Sequence, residues 1–276
     1  MKIDTRLLTS MLKRTQRIQC VAGKPQAQVT ACVLTVVGDL VSTTSIVRDG
    51  KTSLSRFNAP VENSLGGQTI LPVPDIDRVL GVLSAHSSPV KIEFKDDRLI
   101  FKSGKKTTRL VSSLNGLAFP HSSETLTAWG QKSQSLSESF LFDDKEGFVG
   151  YKMQSKEVRT PCYCWTVDAN ELFEALRCDN MNGQKLNRYT FAVSDDTIRV
   201  GVGEEMKGLT YTTFTNESGE KGQFEWTFEG GLENVLSGLS GNITLNFIDF
   251  RSETQGIRMV IDLGERGYVY QAGVLV

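Results

Sequence analysis

Two stretches of this chain repeat one another. Residues 75–94 read "DIDRVLGVLSAHSSPVKIEF" and residues 230–247 read "GGLENVLSGLSGNITLNF". Val79, Leu80, Leu83 and Ser84 match Val235, Leu236, Leu239 and Ser240 at one constant offset of 156. Each stretch passes from a helical apolar spacing to a strand-like alternation after a short break. A chain that reuses such a unit must fold into repeated substructures, each burying the same face.

Extending the periodicity in both directions gives four copies of one order: strand, short helix, three strands. The first is "MKID", the helix "TRLLTSMLKRTQRI", then "QVTACVLTVV", "LVSTTSIV" and "TSLSRF", with Asp49-Gly50 as a hairpin turn. The second runs from "QTILPVP" through "DIDRVLGVLSAH" to "VKIEFKD", "RLIFKS" and "KKTTRLVS". The third is "CYCWTVD", "ANELFEALR", "RYTFAVS", "TIRVGVG" and "GLTYTTFT". The fourth is "QFEWTFE", "GGLENVLSGLS", "NITLNFIDF", "IRMVIDLG" and "YVYQAGV". Asp4, Leu8 and Leu12 match Asp168, Leu172 and Leu176, with the acid placed to cap the free N–H groups of its helix. The expected fold is therefore α+β, with two similar domains, 1–113 and 161–276. Each is a doubled βαβββ unit of antiparallel sheet with two helices on one side. Residues 114–160 belong to no copy. They are expected to form a linker with partly ordered surface structure, including a hairpin around Lys145-Glu146-Gly147.

Composition bounds the function without selecting it. A chain of 276 residues with 39% apolar and 23% charged residues is an ordinary soluble type. No apolar run reaches the length of a membrane span, and "MKIDTRLL" lacks a signal-peptide core. The five scattered cysteines read as reduced intracellular thiols. Cys162-Tyr163-Cys164 is one residue short of a CxxC pair and only two histidines are present, so no metal or other cofactor is expected. There is no GxxxxGK[ST], no GxGxxG opening a helix and no HExxH, so no catalytic residue is named. Asp143-Asp144 and Asp195-Asp196 are read as turn residues.

Charge patterning is most informative in the first helix. A helical wheel puts Leu7, Leu8, Met11, Leu12 and Ile18 on one side and Arg6, Lys13, Arg14 and Arg17 on the other, with no acid among them. The second helix offers Arg78 and His86 beside Asp75 and Asp77. The third offers Arg177 with Glu171 and Glu174, followed by Lys185 and Arg188, and the fourth shows only Glu233. Any surface built from these helices is basic mainly in the first domain.

The doubled βαβββ organisation, the run "ILPVPDIDRVLGVLSAHSSPVKIEFKDDRLIFKSGKKTTRL" and the ending "RGYVYQAGVLV" together resemble the DNA sliding clamps of the proliferating cell nuclear antigen type. The departures are Gly273, where that family usually has Pro, and a linker longer than the family's connector. The resemblance implies a non-enzymatic, head-to-tail homotrimeric ring that encircles duplex DNA without sequence preference and tethers a DNA polymerase. It would act inside the cell, in the cytoplasm of a prokaryote or the nucleus of a eukaryote. It further implies DNA contacts from Arg6, Lys13, Arg14, Arg17, Arg78, Arg177, Lys185 and Arg188. Subunit pairing would run through the edges 105–112 and 208–215, by Lys105, Thr107, Arg109 and Val111 against Leu209, Tyr211 and Thr213. Docking of polymerase and clamp-loader peptides would fall near Phe140, Leu141 and Phe142 and the tail Ala272, Gly273, Val274 and Leu275. Two other readings stay open: a monomeric or dimeric processivity factor that binds DNA by a basic face, and a β-rich enzyme or receptor domain with its site in the linker.

Overall fold

The structure, a computed structural model, describes residues 1–18, 20–21, 24–25, 31–47, 53–63, 67–111, 123–177, 188–204, 208–216, 223–229, 232–250 and 256–272. In the first copy, strand β1 (Lys2–Ile3) leads into helix α1 (Thr5–Ile18). A small hairpin of β2 (Cys20–Val21) and β3 (Lys24–Pro25) follows, then β4 (Cys32–Val37), β5 (Leu40–Val47) and β6 (Ser53–Pro60). The second copy is β7 (Thr69–Val73), α2 (Ile76–Ser84), β8 (Val90–Lys95), β9 (Arg98–Ser103) and β10 (Lys106–Val111). After it come α3 (Ser123–Ser137), β11 (Phe140–Asp143), β12 (Gly147–Lys152) and β13 (Val158–Arg159). The third copy is β14 (Tyr163–Asp168), α4 (Ala169–Arg177), β15 (Arg188–Val193), β16 (Thr197–Glu204) and β17 (Gly208–Thr215). The fourth is β18 (Phe224–Glu229), α5 (Leu232–Leu236), β19 (Asn242–Asp249), β20 (Ile257–Asp262) and β21 (Gly267–Ala272).

The copies interlock. In each, the three consecutive strands form a meander, and the leading strand crosses to the meander of its partner copy. The resulting sheets have the orders β1-β8-β9-β10, β17-β16-β15-β18 and β14-β19-β20-β21-β6-β5-β4-β7. The eight-stranded sheet is two such four-stranded units fused where β21 pairs antiparallel with β6, Gly267 opposite Phe57 and Tyr270 opposite Leu54. The sequence does not announce this fusion, because pairing between distant strands leaves no local pattern. The Asp49-Gly50 turn expected between β5 and β6 lies outside the described residues.

Helices α2, α1, α5 and α4 lie side by side in that order on one face, with α1 against α5 joining the two halves. Beneath them runs one continuous core that includes Leu8, Leu12, Phe57, Val79, Leu83, Leu172, Leu176, Phe191, Leu236 and Phe247. The repeated leucines thus fill equivalent positions. Leu7 does not join them. Its side chain is 43% exposed and lines an open groove with Pro60 and Pro89, because α1 turns only Leu8, Met11, Leu12 and Thr15 inward among its described side chains.

The opposite face of the central sheet is covered by segment 123–159. Helix α3 packs over β7, β4 and β5, with Leu126 seated on Ala31 and Val33. At Gly130 the helix comes so close that a Cβ would lie 2.8 Å from Val33 Cγ1. The sequence suggested no such helix, since its serine-rich run shows little apolar periodicity and its contact depends on a residue with no side chain. The expected hairpin is present as β11–β12.

Candidate nucleic-acid and partner interfaces

Caps orient the helices. The Asp4 carboxylate accepts the N–H groups of Arg6 (2.8 Å) and Leu7 (3.1 Å) and the Ser88 hydroxyl (2.6 Å). The Ser88 bond, followed by that from Leu7, holds its pKa below the usual carboxylate value. Asp168 caps α4 through Asn170 N (2.9 Å) and Glu171 N (3.2 Å), and Asp75 caps α2 through Arg78 N (3.0 Å).

On this scaffold the basic residues divide. Arg6 and Lys13 are exposed on α1. Arg14 is half-buried, and its Nη2 donates to the Gly238 carbonyl at 3.3 Å, so it ties α1 to the end of α5 as well as carrying charge. Arg17 lies on the last turn of α1, its side chain outside the described set, as is all of Lys185. Arg78 is ion-paired with Asp75 at 3.1 Å. Arg177 is paired with Glu174 at 2.9 Å and also stands over the Phe173 ring. Arg188 opens β15 opposite Glu229. On α5, Glu233 accepts the Tyr189 hydroxyl. The helical face is thus basic along α1 and near neutral elsewhere among the described residues.

The strands β10 and β17 are sheet ends, each with one side unpaired among the described residues. The two-residue turn Gly104-Lys105 closes on the pair Ser103 and Lys106. Alternation therefore turns the N–H groups of Lys106, Thr108 and Leu110 toward β9, and those of Thr107, Arg109 and Val111 outward. On β17, the bond from Asn216 N to Asp196 O (2.9 Å) sets the same alternation, leaving Leu209, Tyr211, Thr213 and Thr215 directed outward. Tyr211 is 44% exposed, with the Arg199 guanidinium over its ring at 5.3 Å.

Behind β10 lies His86, which the sequence suggested as an outward cation. It is buried, with Nδ1 2.8 Å from Ser103 Oγ and Nε2 2.8 Å from Thr108 Oγ1. Burial first, and the nearby Lys106 ammonium second, lower its pKa. The folded state therefore favours neutral imidazole. This contribution to stability is complete above the unfolded value of about 6.5. It declines as pH falls below that value, where the unfolded chain takes up the proton first. The unfolding free energy of the protein, followed from pH 7 to pH 5, should fall more steeply than that of His86→Gln. Equal slopes would show that His86 titrates normally.

On the outer face, Phe140 is buried among Tyr268 (4.9 Å), Tyr270 (5.1 Å) and Tyr151 (5.1 Å). Phe142, two residues along the strand and so on the same side, lies against Tyr268 at 5.1 Å and Phe148 at 5.5 Å, yet is 42% exposed. The register shift between Leu141 and Phe142 leaves Val149 of β12 as the bulged residue. Leu141 is half-buried. The Asp262 carboxylate fastens the hairpin by accepting Phe148 N and also accepts Gly264 N, both at 2.8 Å. Burial pushes the Tyr268 and Tyr270 hydroxyls up to about 12. Of the predicted docking residues, Phe142 is open, Phe140 is enclosed and Ala272 ends β21. Gly273, Val274 and Leu275 lie outside the described residues. Asp262 was not foreseen, since a single aspartate in a strand carries no pattern.

Among the described residues, no group of three or more His, Cys, Asp or Glu could hold a metal ion, and no helix is long and apolar enough to cross a membrane.

No family model and no curated protein matches this sequence. Solved structures do. A DNA polymerase III beta subunit from Thermotoga maritima superposes with a TM-score of 0.61 at 17% identity, covering 100% of this chain and 65% of its own. A sliding clamp from Pseudomonas aeruginosa, bound to griselimycin, gives 0.61 at 13% identity, with 99% and 64% covered. The A. fulgidus PCNA bound to the C-terminal region of FEN-1 gives 0.58 at 14% identity, with 100% and 98% covered. This chain spans about two-thirds of the bacterial beta subunits and nearly the whole of the A. fulgidus protein. The interlocked meanders, the single layer of four helices and these superpositions together give the chain the DNA sliding-clamp fold.

Proposed function

We propose that the protein is a DNA sliding clamp, a homotrimeric ring that encircles duplex DNA and tethers a polymerase. The observation that carries this reading is the internal seam. The last strands of the four copies are β6, β10, β17 and β21, and within the chain β6 pairs with β21. The other two, β10 and β17, occupy equivalent places in their own sheets and each keep one side unpaired among the described residues. Pairing β10 of one copy with β17 of the next repeats the internal seam between molecules. Such head-to-tail contacts generate a ring when the rotation closes, and they remove exposed edges that would otherwise promote aggregation.

The helical layer then faces the enclosed duplex. Few cations and several ion pairs suit loose, sequence-independent contact with phosphates, led by Arg6 and Lys13 and supported by Arg14, Arg17, Arg78, Arg177, Lys185 and Arg188. The outer face carries the partner peptide, with Phe142, Leu141 and the tail from Ala272 as its apolar ground and Phe140 as internal support. The chemistry is mechanical. The ring supplies topology, and the polymerase supplies catalysis.

Retention on closed circular DNA, loaded with the clamp loader of the source organism, tests the reading. Loaded protein should stay on the circle and leave within minutes of linearisation. Converting Arg6 and Lys13 to Glu should reduce retention severalfold without loss of folding, because the buried stripe of α1 is untouched. Protein that remains after cutting would point instead to side-on binding by a basic face.

A further inference from the structure

The internal repeat separates surface residues that the fold requires from those it does not. Ladder register aligns the two halves residue by residue. Ile3 pairs with Val90 as Val167 pairs with Ile243, and the turns 38–39 and 195–196 each accept an N–H from beyond the third meander strand, Val61 N to Asp39 O and Asn216 N to Asp196 O, both at 2.9 Å. On this alignment Leu8, Val36, Val41 and Val90 correspond to Leu172, Val193, Ile198 and Ile243, all buried. Leu7, Val37, Leu40, Pro60 and Pro89 correspond instead to Glu171, Ser194, Thr197, Thr215 and Asn242. All five apolar residues of the first half are exposed, and the second half builds the same positions from polar side chains. Of the six large hydrophobic side chains exposed among the described residues, Leu7, Val37 and Leu40 are three, so half of them crowd one corner.

That corner is continuous. Val37 pairs with Leu40 and Leu40 with Pro60, forming one row across β4, β5 and β6. The row lies on the outer face, because Val36, Val41 and Ala59 beside it point into the core. At about 4.8 Å between strands it spans roughly 10 Å. Pro60 then leads over the rim into a groove of about 940 Å³ shared with Leu7 and Pro89.

We infer that this rim is a docking surface for a short segment of a partner protein, apolar in the middle and basic at its flank. Aliphatic or aromatic side chains lie on the row and in the groove, and a lysine or arginine stands beside Asp39. A single exposed leucine calls for no partner, but a contiguous apolar patch edged by charge does. The charge left open is negative. Lys2 is paired with Glu62 at 2.7 Å and Lys91 with Glu93 at 2.9 Å, while the Met1 amino group donates inward to the Ile92 carbonyl at 3.0 Å. Asp4 is engaged as the cap of α1. The exposed Asp39 carboxylate has no hydrogen-bond or ion-pair partner among the described residues. This surface is separate from that at Phe142. Tyr268, which touches Phe142, pairs with Arg56, and Pro60 stands four residues further along β6, roughly 13 Å away. Docking here holds whether or not the protein closes into a ring.

Amide shifts of the intact protein, followed by transverse-relaxation-optimised NMR during titration with the peptide acetyl-Lys-Leu-Phe-Leu-Lys-amide, test it. The peptide should move the amides of Leu7, Asp39, Leu40 and Glu62 and saturate at millimolar concentration or below. Replacing its lysines with glutamates, or its three apolar residues with serines, should weaken binding roughly tenfold. The combined variant Val37→Ser, Leu40→Thr and Pro60→Thr carries only residues that the second half already uses. It should lose binding by a similar factor and melt at the temperature of the parent, as exposed substitutions do. Asp39→Asn should weaken binding roughly threefold. Phe142→Ala should leave the response at the rim unchanged. No shift at these four amides, equal binding of the lysine and glutamate peptides, or a response confined to the surroundings of Phe142 overturns the surface. So does binding that survives in the combined variant. A combined variant that melts well below the parent overturns it too, because the row then serves the fold. None of these readings involves DNA, so a failure here leaves the clamp standing and a failure on circular DNA leaves the rim standing.

Discussion

Gly267→Ala should lose about 3 kcal/mol or more of stability, because the residue sits at the seam of the two halves in a conformation that alanine resists. Its φ is 112°, and a Cβ there would run into the Arg56 carbonyl and approach the Phe57 Cα at 3.0 Å. Neither neighbour is a flexible side-chain end. Relief requires β21 to move away from β6, and among the described residues that ladder is the strand pairing that joins the halves. Gly264→Ala is the matched control. Its φ is 64° with nothing within 4 Å of the added carbon, so only the left-handed backbone cost of about 1–2 kcal/mol applies. In urea unfolding followed by tryptophan fluorescence and circular dichroism, Gly267→Ala should also split one transition into two as the halves uncouple. If the two glycine variants lose equal stability, close approach at the seam is not what holds the halves together.

Much of this arrangement can be read from the sequence for a physical reason. A helix or strand that buries one face writes its period into the chain, so Leu8, Leu12, Leu172 and Leu176, or Val79, Leu83, Val235 and Leu239, announce their copies without reference to distant residues. Caps are equally local, and Asp4 and Asp168 hold the N–H groups that their positions suggest. Leu7 shows the limit of this reading, since a wheel cannot tell the margin of an apolar stripe from its centre.

Features that depend on distant chain segments were not legible. Arg14 belongs to the same basic face as Lys13 on a helical wheel, yet α5 passes close enough to take its guanidinium. Phe140 and Phe142 look alike in the run "FLFDD", and only the added rings of Tyr151 and Tyr270 around Phe140 make one buried and the other open. Helix α3 covers the sheet through Leu126 and Gly130, too few apolar positions to give a period. His86 is buried because β10 folds back over it, which its neighbours in sequence do not reveal.

Arg109→Pro and Thr213→Pro should each abolish ring assembly, and an equimolar mixture of the two should form a dimer that grows no further. Proline removes an N–H donor and sterically blocks a neighbouring strand. Because the N–H of Arg109 points away from β9 and that of Thr213 away from β16, each substitution blocks an outer edge while sparing the inner ladder. Leu110→Pro, whose N–H faces β9, should instead damage the fold itself. In sedimentation velocity the unmodified protein should run at three times its 30.5 kDa mass, and each edge variant alone at the single mass with unchanged circular dichroism. The mixture is the discriminating arm. Arg109→Pro keeps a sound β17 and Thr213→Pro keeps a sound β10, so one seam can form between them and no second one can follow. Self-complementary pairing of β10 with β10 would instead leave Thr213→Pro able to dimerise alone and gain nothing from mixing. A monomeric unmodified protein at micromolar concentration would remove the ring altogether, whereas a dimer found only in the mixture would fix the contact as head-to-tail.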